Sequence, residues 1–218
     1  MKRLLITIDG PAGAGKTTVS RALADRLGYR YIDTGALYRG VALAVKTEAI
    51  NPQSDADLKQ LCNELDLAFV VNEDGLRLIS NGQDISDRIR APEITMLAST
   101  VSARPVVRKF LLDLQKNMGL EKAAVFEGRD MGTVVFPAAD VKFFLDASTS
   151  KRAERRFDEL KSKTSQTLDE VHRDIQQRDQ NDRTREVAPL KPARDAIIID
   201  STNLTIEQVV ELMVSHIG

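Results

Sequence analysis

The chain has 218 residues, with 31 Lys and Arg against 32 Asp and Glu, a formal charge of −1 and 42% hydrophobic residues, enough for an α/β domain with insertions and a sizeable core. The near-neutral balance argues against a dedicated nucleic-acid binder, which needs a basic surface to displace counterions. The absence of a long apolar run predicts a soluble cytoplasmic protein with no membrane segment, and a single cysteine with two histidines lacking ligand spacing argues against a protein-built zinc site.

The first predicted element is a strand over the apolar run Leu4-Leu5-Ile6-Thr7-Ile8. Directly after it, Gly10-Pro11-Ala12-Gly13-Ala14-Gly15-Lys16-Thr17 fits G-x-x-x-x-G-K-[ST] at each fixed position, ahead of a helix-forming stretch. The glycines let the chain curl so that successive N–H groups face phosphate oxygens, and the following helix adds its positive end. Lys16 then reaches the β/γ-phosphates and Thr17 the Mg²⁺. The loop predicts that the chain binds a nucleoside triphosphate, with Thr18 completing the donor set. Mg²⁺ arrives with the nucleotide as the one expected cofactor.

Further along, Cys62 shares a helix face with Leu58, Leu61 and Leu65 and is expected to be buried as a small hydrophobe. Between 66 and 88, Leu67-Ala68-Phe69-Val70-Val71 and Leu76-Arg77-Leu78-Ile79 flank Asn72-Glu73-Asp74-Gly75, with Asn81-Gly82 following, which reads as a small antiparallel hairpin or meander. Helical patterns resume near Ala91. Apolar runs at 123–127, 141–145 and 196–199 then join the first strand as central strands of a parallel sheet flanked by helices. The strand ends present Asp9, Glu127-Gly128-Arg129-Asp130, Asp146 and Asp200-Ser201, where ligands of such sheets bind. From 149 to 188 an arginine-rich helical hairpin reads as a lid, and Pro189 and Pro192 are expected to stop its second helix. The fold class is therefore α/β. A core of 1–33, 101–148 and 189–218 carries an insert of 34–100 and a helical lid of 149–188.

A phosphate-binding loop does not by itself separate kinases, GTPases and motor ATPases. The guanine-reading N-K-x-D is absent, and the D-x-x-G at Asp25 to Gly28 falls inside the helix after the loop, where no switch can sit. Four motifs in order resemble the bacterial cytidylate kinase family: Ile8-Asp9-Gly10-Pro11-Ala12-Gly13, Asp33-Thr34-Gly35-Ala36-Leu37-Tyr38-Arg39, Gly128-Arg129-Asp130-Met131-Gly132-Thr133 and Arg178-Asp179-x-x-Asp182-x-x-Arg185. The similarity runs from about Ile6 to Gln208.

The resemblance implies a P-loop fold whose insert binds the acceptor, and transfer of the γ-phosphoryl of ATP to CMP or dCMP. It implies a cytoplasmic monomer that takes ATP and CMP or dCMP, without nucleic-acid or membrane partners. A monophosphate whose second pKa is near ~6 is already anionic at neutral pH, so no general base is required. The chemistry reduces to alignment and charge neutralisation by Lys16, Arg129, Arg178 and Arg185. By match to the motifs, Thr34, Tyr38, Arg39, Arg129 and Arg185 belong to the acceptor's site and Asp182 to its ribose. Ser99, Arg108 and Asp130 match the family's cytosine-reading positions. Uracil would set its O4 against Asp130 where cytosine offers an amino group. On the donor side, Arg152 or Arg156 is expected to stack on adenine, with Ser201-Thr202-Asn203 beside it. Thr34 stands where relatives commonly have serine, and Asn181 where some carry a basic residue.

Overall fold

The computed structural model describes residues 2–72, 75–161 and 164–217. The central Glu73-Asp74 of the expected hairpin turn, and Ser162-Lys163 of the expected lid, lie outside the described residues. Contacts divide the chain into two compact units, Met1–Tyr31 with Glu121–Gly218, and Ile32–Leu120. Among the described residues no helix is long and apolar enough to cross a membrane.

The first unit is built on a five-stranded sheet in the order β2-β6-β1-β7-β8. Its strands are β1 (Leu5–Asp9), β2 (Arg30–Asp33), β6 (Ala124–Gly128), β7 (Val141–Asp146) and β8 (Ile197–Asp200). β1 pairs in parallel with both β6 and β7, and β7 with β8. Each residue of β1 is buried, as expected of a strand covered on two faces. Ile6 and Ile8 pack with Val19 and Leu23 of α1 (Lys16–Leu27) and with Val209 and Met213 of α8 (Ile206–Ser215). Thr7 and Asp9 alternate to the opposite face, toward Gly132 in a π-helical turn at Met131–Val135. α1 stops at Gly28 in the left-handed region (φ 66°), whose N–H reaches the carbonyl of Asp25 while Tyr29 N–H reaches that of Ala24.

The apolar runs at 3–8, 123–127, 141–145 and 196–199 all become strands. β2 lay outside those runs, because Arg30-Tyr31-Ile32-Asp33 holds a single aliphatic side chain and only Ile32 is buried. The arginine-rich segment forms α6 (Thr149–Leu160) and α7 (Leu168–Thr184), joined by Ala153, Phe157, Leu160, Val171 and Ile175. α7 ends before either proline, with Arg185 already extended (ψ 139°). These two helices fall within the first unit.

The second unit contains α2 (Thr34–Thr47), α3 (Asp55–Glu64), α4 (Pro92–Ser102) and α5 (Pro105–Gly119). It also holds an antiparallel meander of β3 (Leu67–Asn72), β4 (Gly75–Ser80) and β5 (Gln83–Asp84). Its core joins Leu37, Val41, Leu58, Leu78, Ile94, Val101 and Leu111. Cys62 is part of that core, and burial raises its thiol to about 11, so it packs as an inert hydrophobe. The expected boundary near 100 differs from this division: α5 presents Val107 and Leu111 to the same core as α2 and α3, which keeps 101–120 with the second unit.

Candidate active site

The phosphate loop follows from the end of β1. Gly10 has φ 151°, and a Cβ there would lie 2.0 Å from the carbonyl oxygen of Leu145, so the chain passes β7 at a distance only glycine permits. Gly15, at φ 88°, forms the N-cap of α1 and directs the helix's free N–H groups into the loop. Lys16 begins the helix and is buried, its Nζ donating to the carbonyl of Pro11 at 2.7 Å. Burial, with the charges of Arg129 and Arg178 behind it, lowers its ammonium to about 7, against the opposing pull of Glu127 and Asp182. The lysine is a poorly solvated cation that incoming phosphates would stabilise. Thr17 and Thr18 are exposed on the first turn. Thr17 Oγ1 donates to Glu127 Oε1 at 2.9 Å, and the Tyr31 hydroxyl donates to Glu127 Oε2 at 2.6 Å.

Asp9 fixes the turn beyond β6. Its two carboxylate oxygens accept from the N–H groups of Met131 and Gly132, each at 2.8 Å. Burial raises its pKa to about 6; the two backbone bonds oppose that rise and the nearby Asp130 adds to it. A carboxyl raised above its unfolded value contributes stability below about pH 4 that is lost as pH rises through about 6. Asp9→Asn is expected to remove a decline of up to about 3 kcal/mol between those limits. Denaturant titrations of both proteins at pH 4 to 7 measure it, and an unchanged slope in the variant would assign the decline to other groups.

Four of the predicted residues of the first unit, Arg129, Asp130, Asp182 and Arg185, lie in one polar cluster. Arg129 Nε donates to Asp182 Oδ2 at 3.1 Å, and Arg185 Nη1 lies 3.8 Å from Asp182 Oδ1. Arg185 Nη2 is 3.6 Å from Asp130 Oδ1, and its Nε donates to the carbonyl of Ala188 at 2.6 Å. Burial would raise Asp182, yet Arg129, Arg185 and Arg178 together hold its carboxyl below the usual range. In the second unit, Asp33 caps α2 through Ala36 N–H and pairs with Arg39 at 2.7 Å. Burial works against its charge, and Arg39 outweighs it to keep the carboxyl low. The Arg108 guanidinium lies 5.5 Å from the Tyr38 ring centroid and donates to the carbonyl of Ser102. Thr34 is buried, and the buried Ser99 Oγ has no hydrogen-bond partner among the described residues.

One donor-side expectation, that for Arg152, is corrected. Arg152 is buried rather than open to a base: Nε donates to Ala147 O at 2.9 Å, Nη1 to Ala12 O at 3.1 Å and Nη2 to Thr149 Oγ1 at 3.0 Å. Arg156 pairs with Glu159 along the helix at 2.9 Å. Arg155 also stands beside the phosphate loop, its Nη1 donating to Ser201 Oγ at 3.1 Å and its Nη2 to Ser201 O at 2.7 Å. Its Nη1 also stands 3.7 Å from where a Cβ on Gly15 would be. Ser201 itself is buried and donates to Ala14 O or Asp146 O, linking β8 to the loop. Tyr31, which the sequence did not mark, joins Glu127 and Thr17 in one hydrogen-bonded group. The signal for Glu127 was its place at the end of a central strand.

A phosphate-binding loop set at the end of a central parallel strand, with lysine and arginine charge gathered over it, defines a P-loop phosphotransferase. The fold is similar to that of an uncharacterized protein from Eubacterium ventriosum, whose crystal structure superposes with a TM-score of 0.51 at 11% identity over 98% of both chains. In sequence, the cytidylate kinase family model matches residues 6–218. The cytidylate kinase of Geobacter sulfurreducens is 53% identical over 213 residues, covering 97% of this chain and 91% of the relative. That of Mannheimia succiniciproducens is 46% identical, covering 99% and 96%. The chain belongs to the cytidylate kinase family.

Proposed function

We infer that this protein transfers the γ-phosphoryl group of ATP to CMP or dCMP, yielding ADP and the corresponding diphosphate. Beside the family membership, the reading is supported by the charge field around Lys16, to which Arg129 and Arg178 add positive charge while Glu127 and Asp182 oppose them. Such a field suits a transferring phosphoryl, whose negative charge spreads over three oxygens. The acceptor phosphate is anionic at neutral pH and attacks without a base, so the chain's task is alignment and charge neutralisation.

In this reading Gly10 to Thr18 wrap the donor phosphates, and Lys16 bridges toward the γ-phosphoryl. Arg155, in place of Arg152, provides the planar cation next to the donor's base. Thr17 on the first turn after the loop and Glu127 at the end of β6 fit Mg²⁺, because both present oxygen atoms, which a hard cation requires. When bound, the ion offsets charge on the donor phosphates; Tyr31 and Thr17 orient the Glu127 carboxylate for it. Arg129, Arg178 and Arg185 hold the transferring and acceptor phosphates, and Asp182 the ribose hydroxyls. Asp130 is assigned to the cytosine amino group. In the second unit, Thr34 and Arg39 are assigned to acceptor phosphate, and Tyr38, Ser99 and Arg108 to the base side. The buried Ser99 hydroxyl is a donor waiting for an acceptor such as a pyrimidine carbonyl. Residues 34–100 act as the acceptor-binding region and 149–188 as the lid of a cytoplasmic monomer.

ADP release from Mg·ATP with CMP, dCMP, UMP and AMP supplied separately tests the function. Turnover with CMP and dCMP is expected, with UMP disfavoured by roughly 10⁴ in kcat/KM, because the site leaves a buried polar group unpaired against uracil. Equal efficiency with UMP would overturn the base assignment.

A further inference from the structure

Arg152 and Asp179 belong to none of the roles above, yet their geometry ties the donor loop to the helix that carries the acceptor residues. Gly13 of the loop backs directly onto Arg152, since a Cβ there would meet Arg152 O at 2.9 Å and Arg152 Cβ at 3.0 Å. Arg152 Nη1 holds the carbonyl of Ala12, which must face away from phosphate for the loop's N–H groups to face it. Arg152 Nη2 reaches across to Asp179 Oδ2 on α7 at 2.6 Å, with both side chains largely buried. The other oxygen, Asp179 Oδ1, is buried and has no hydrogen-bond partner among the described residues, so the orientation of this carboxylate rests on Arg152.

The remainder of α7 is held by that bridge together with the Arg129–Asp182 bond and Leu190 N–H, which donates to the carbonyl of Asp182 at 2.7 Å. The apolar cluster that joins α6 to α7 ends at Ile175, and from Gln176 to Thr184 the helix holds only polar and charged side chains. Within this stretch lie Arg178, Asp179 and Asp182, and Asp182 bonds Arg129.

We propose that Arg152 and Asp179 form a positioning pair through which occupation of the donor loop tightens binding of the acceptor nucleotide. Phosphates in the loop fix the outward-turned Ala12 carbonyl; that fixes the Arg152 fork, and the fork sets Asp179 and with it the turn of α7 bearing Arg178 and Asp182. A bidentate guanidinium suits this task because its donors keep a fixed angle to one another. The coupling is mutual, so the acceptor must tighten the donor by the same factor. The proposal rests on the assignment of donor and acceptor given above.

The test is calorimetric titration of CMP into the protein with and without a saturating non-hydrolysable ATP analogue and Mg²⁺, for the unmutated chain, Asp179→Asn and Asp179→Glu. The unmutated protein is expected to bind CMP more tightly with the analogue, by a factor in the ordinary coupling range of roughly 5 to 150. Asp179→Asn should bring that factor below about 2 while CMP affinity without the analogue stays within about twofold. Asp179→Glu, which keeps the charge at a longer reach, should recover part of the coupling, and it carries the comparison if Asn leaves Arg152 too poorly compensated to fold. An unchanged factor in the folded variants overturns the proposal. So does a parallel loss of CMP affinity with and without the analogue, which would mark the pair as merely structural, and so does the absence of coupling in the unmutated chain. No CMP binding under any condition would overturn the acceptor assignment beneath it as well.

Discussion

Lys16→Ala is expected to lower kcat by about 10³-fold, with a smaller change in KM for ATP and no loss of folding stability. The size follows from removing one preorganised charge from a site where charge develops on a transferring group, an effect of roughly 10² to 10³ for a single donor and larger for cations on phosphoryl oxygens. The stability side is less intuitive and comes from the burial of this lysine. Its ammonium is pulled down to about 7 because the folded protein strips its water and sets Arg129 and Arg178 near it. A cation held there without phosphate is a cost to the fold, so its deletion relieves the ligand-free protein as it disables the enzyme. Steady-state kinetics together with thermal melts of the ligand-free protein check both halves. A variant that loses activity and several degrees of melting temperature together would show that Lys16 supports the loop mechanically.

Gly10→Ala should have the largest effect on folding of any single methyl addition in the phosphate loop, about 4 kcal/mol or more. The added Cβ would stand 2.0 Å from the carbonyl oxygen of Leu145. That carbonyl belongs to β7, which pairs with β1 on one side and β8 on the other. Neither partner can shift without breaking ladder bonds, and the backbone at φ 151° is strained for an L-residue even with space available. Gly28→Ala provides the control: φ is 66° but nothing lies within 4 Å of the new carbon, so about 1 kcal/mol is expected from conformation alone. Urea unfolding of the three proteins separates the clash from the dihedral cost. A Gly10 variant no weaker than the Gly28 variant would mean that the loop can lift away from β7.

The elements that could be read from the chain are those whose physics is local. Leu5 to Asp9 and the middle of Val141 to Asp146 are buried on both faces because helices and turns cover both, and consecutive apolar residues such as Leu4-Leu5-Ile6 and Phe143-Phe144-Leu145 write that double burial in the sequence. The phosphate loop is legible for a similar reason, since its conformation depends on glycines within one short segment. β2 was not legible: as an edge strand it buries one side chain, and its pairing with β6 comes from a partner far along the chain. The three arginines of α6 show the same limit within a site. Positions 152, 155 and 156 are chemically identical in sequence. One is buried by Ala12 and Asp179, one is held by Ser201, and one faces Glu159, and those neighbours are supplied by other elements. Thr17 and Glu127 are separated by 110 positions, so only the strand order brings them together.

That strand order also governs how the chain can assemble as it is made. β1 precedes its ladder partners, which begin at Ala124 and Val141, by more than a hundred residues. Until then its apolar residues have no sheet to join, whereas Ile32–Leu120 emerges with a core of its own that requires nothing later in the chain. The donor loop, anchored to β1 and closed by Leu145 and Ser201, is therefore among the last parts to reach its native form. Such long-range closure between β1 and β6 is the kind of non-local pairing that slows folding and leaves apolar strand surface exposed while it is incomplete.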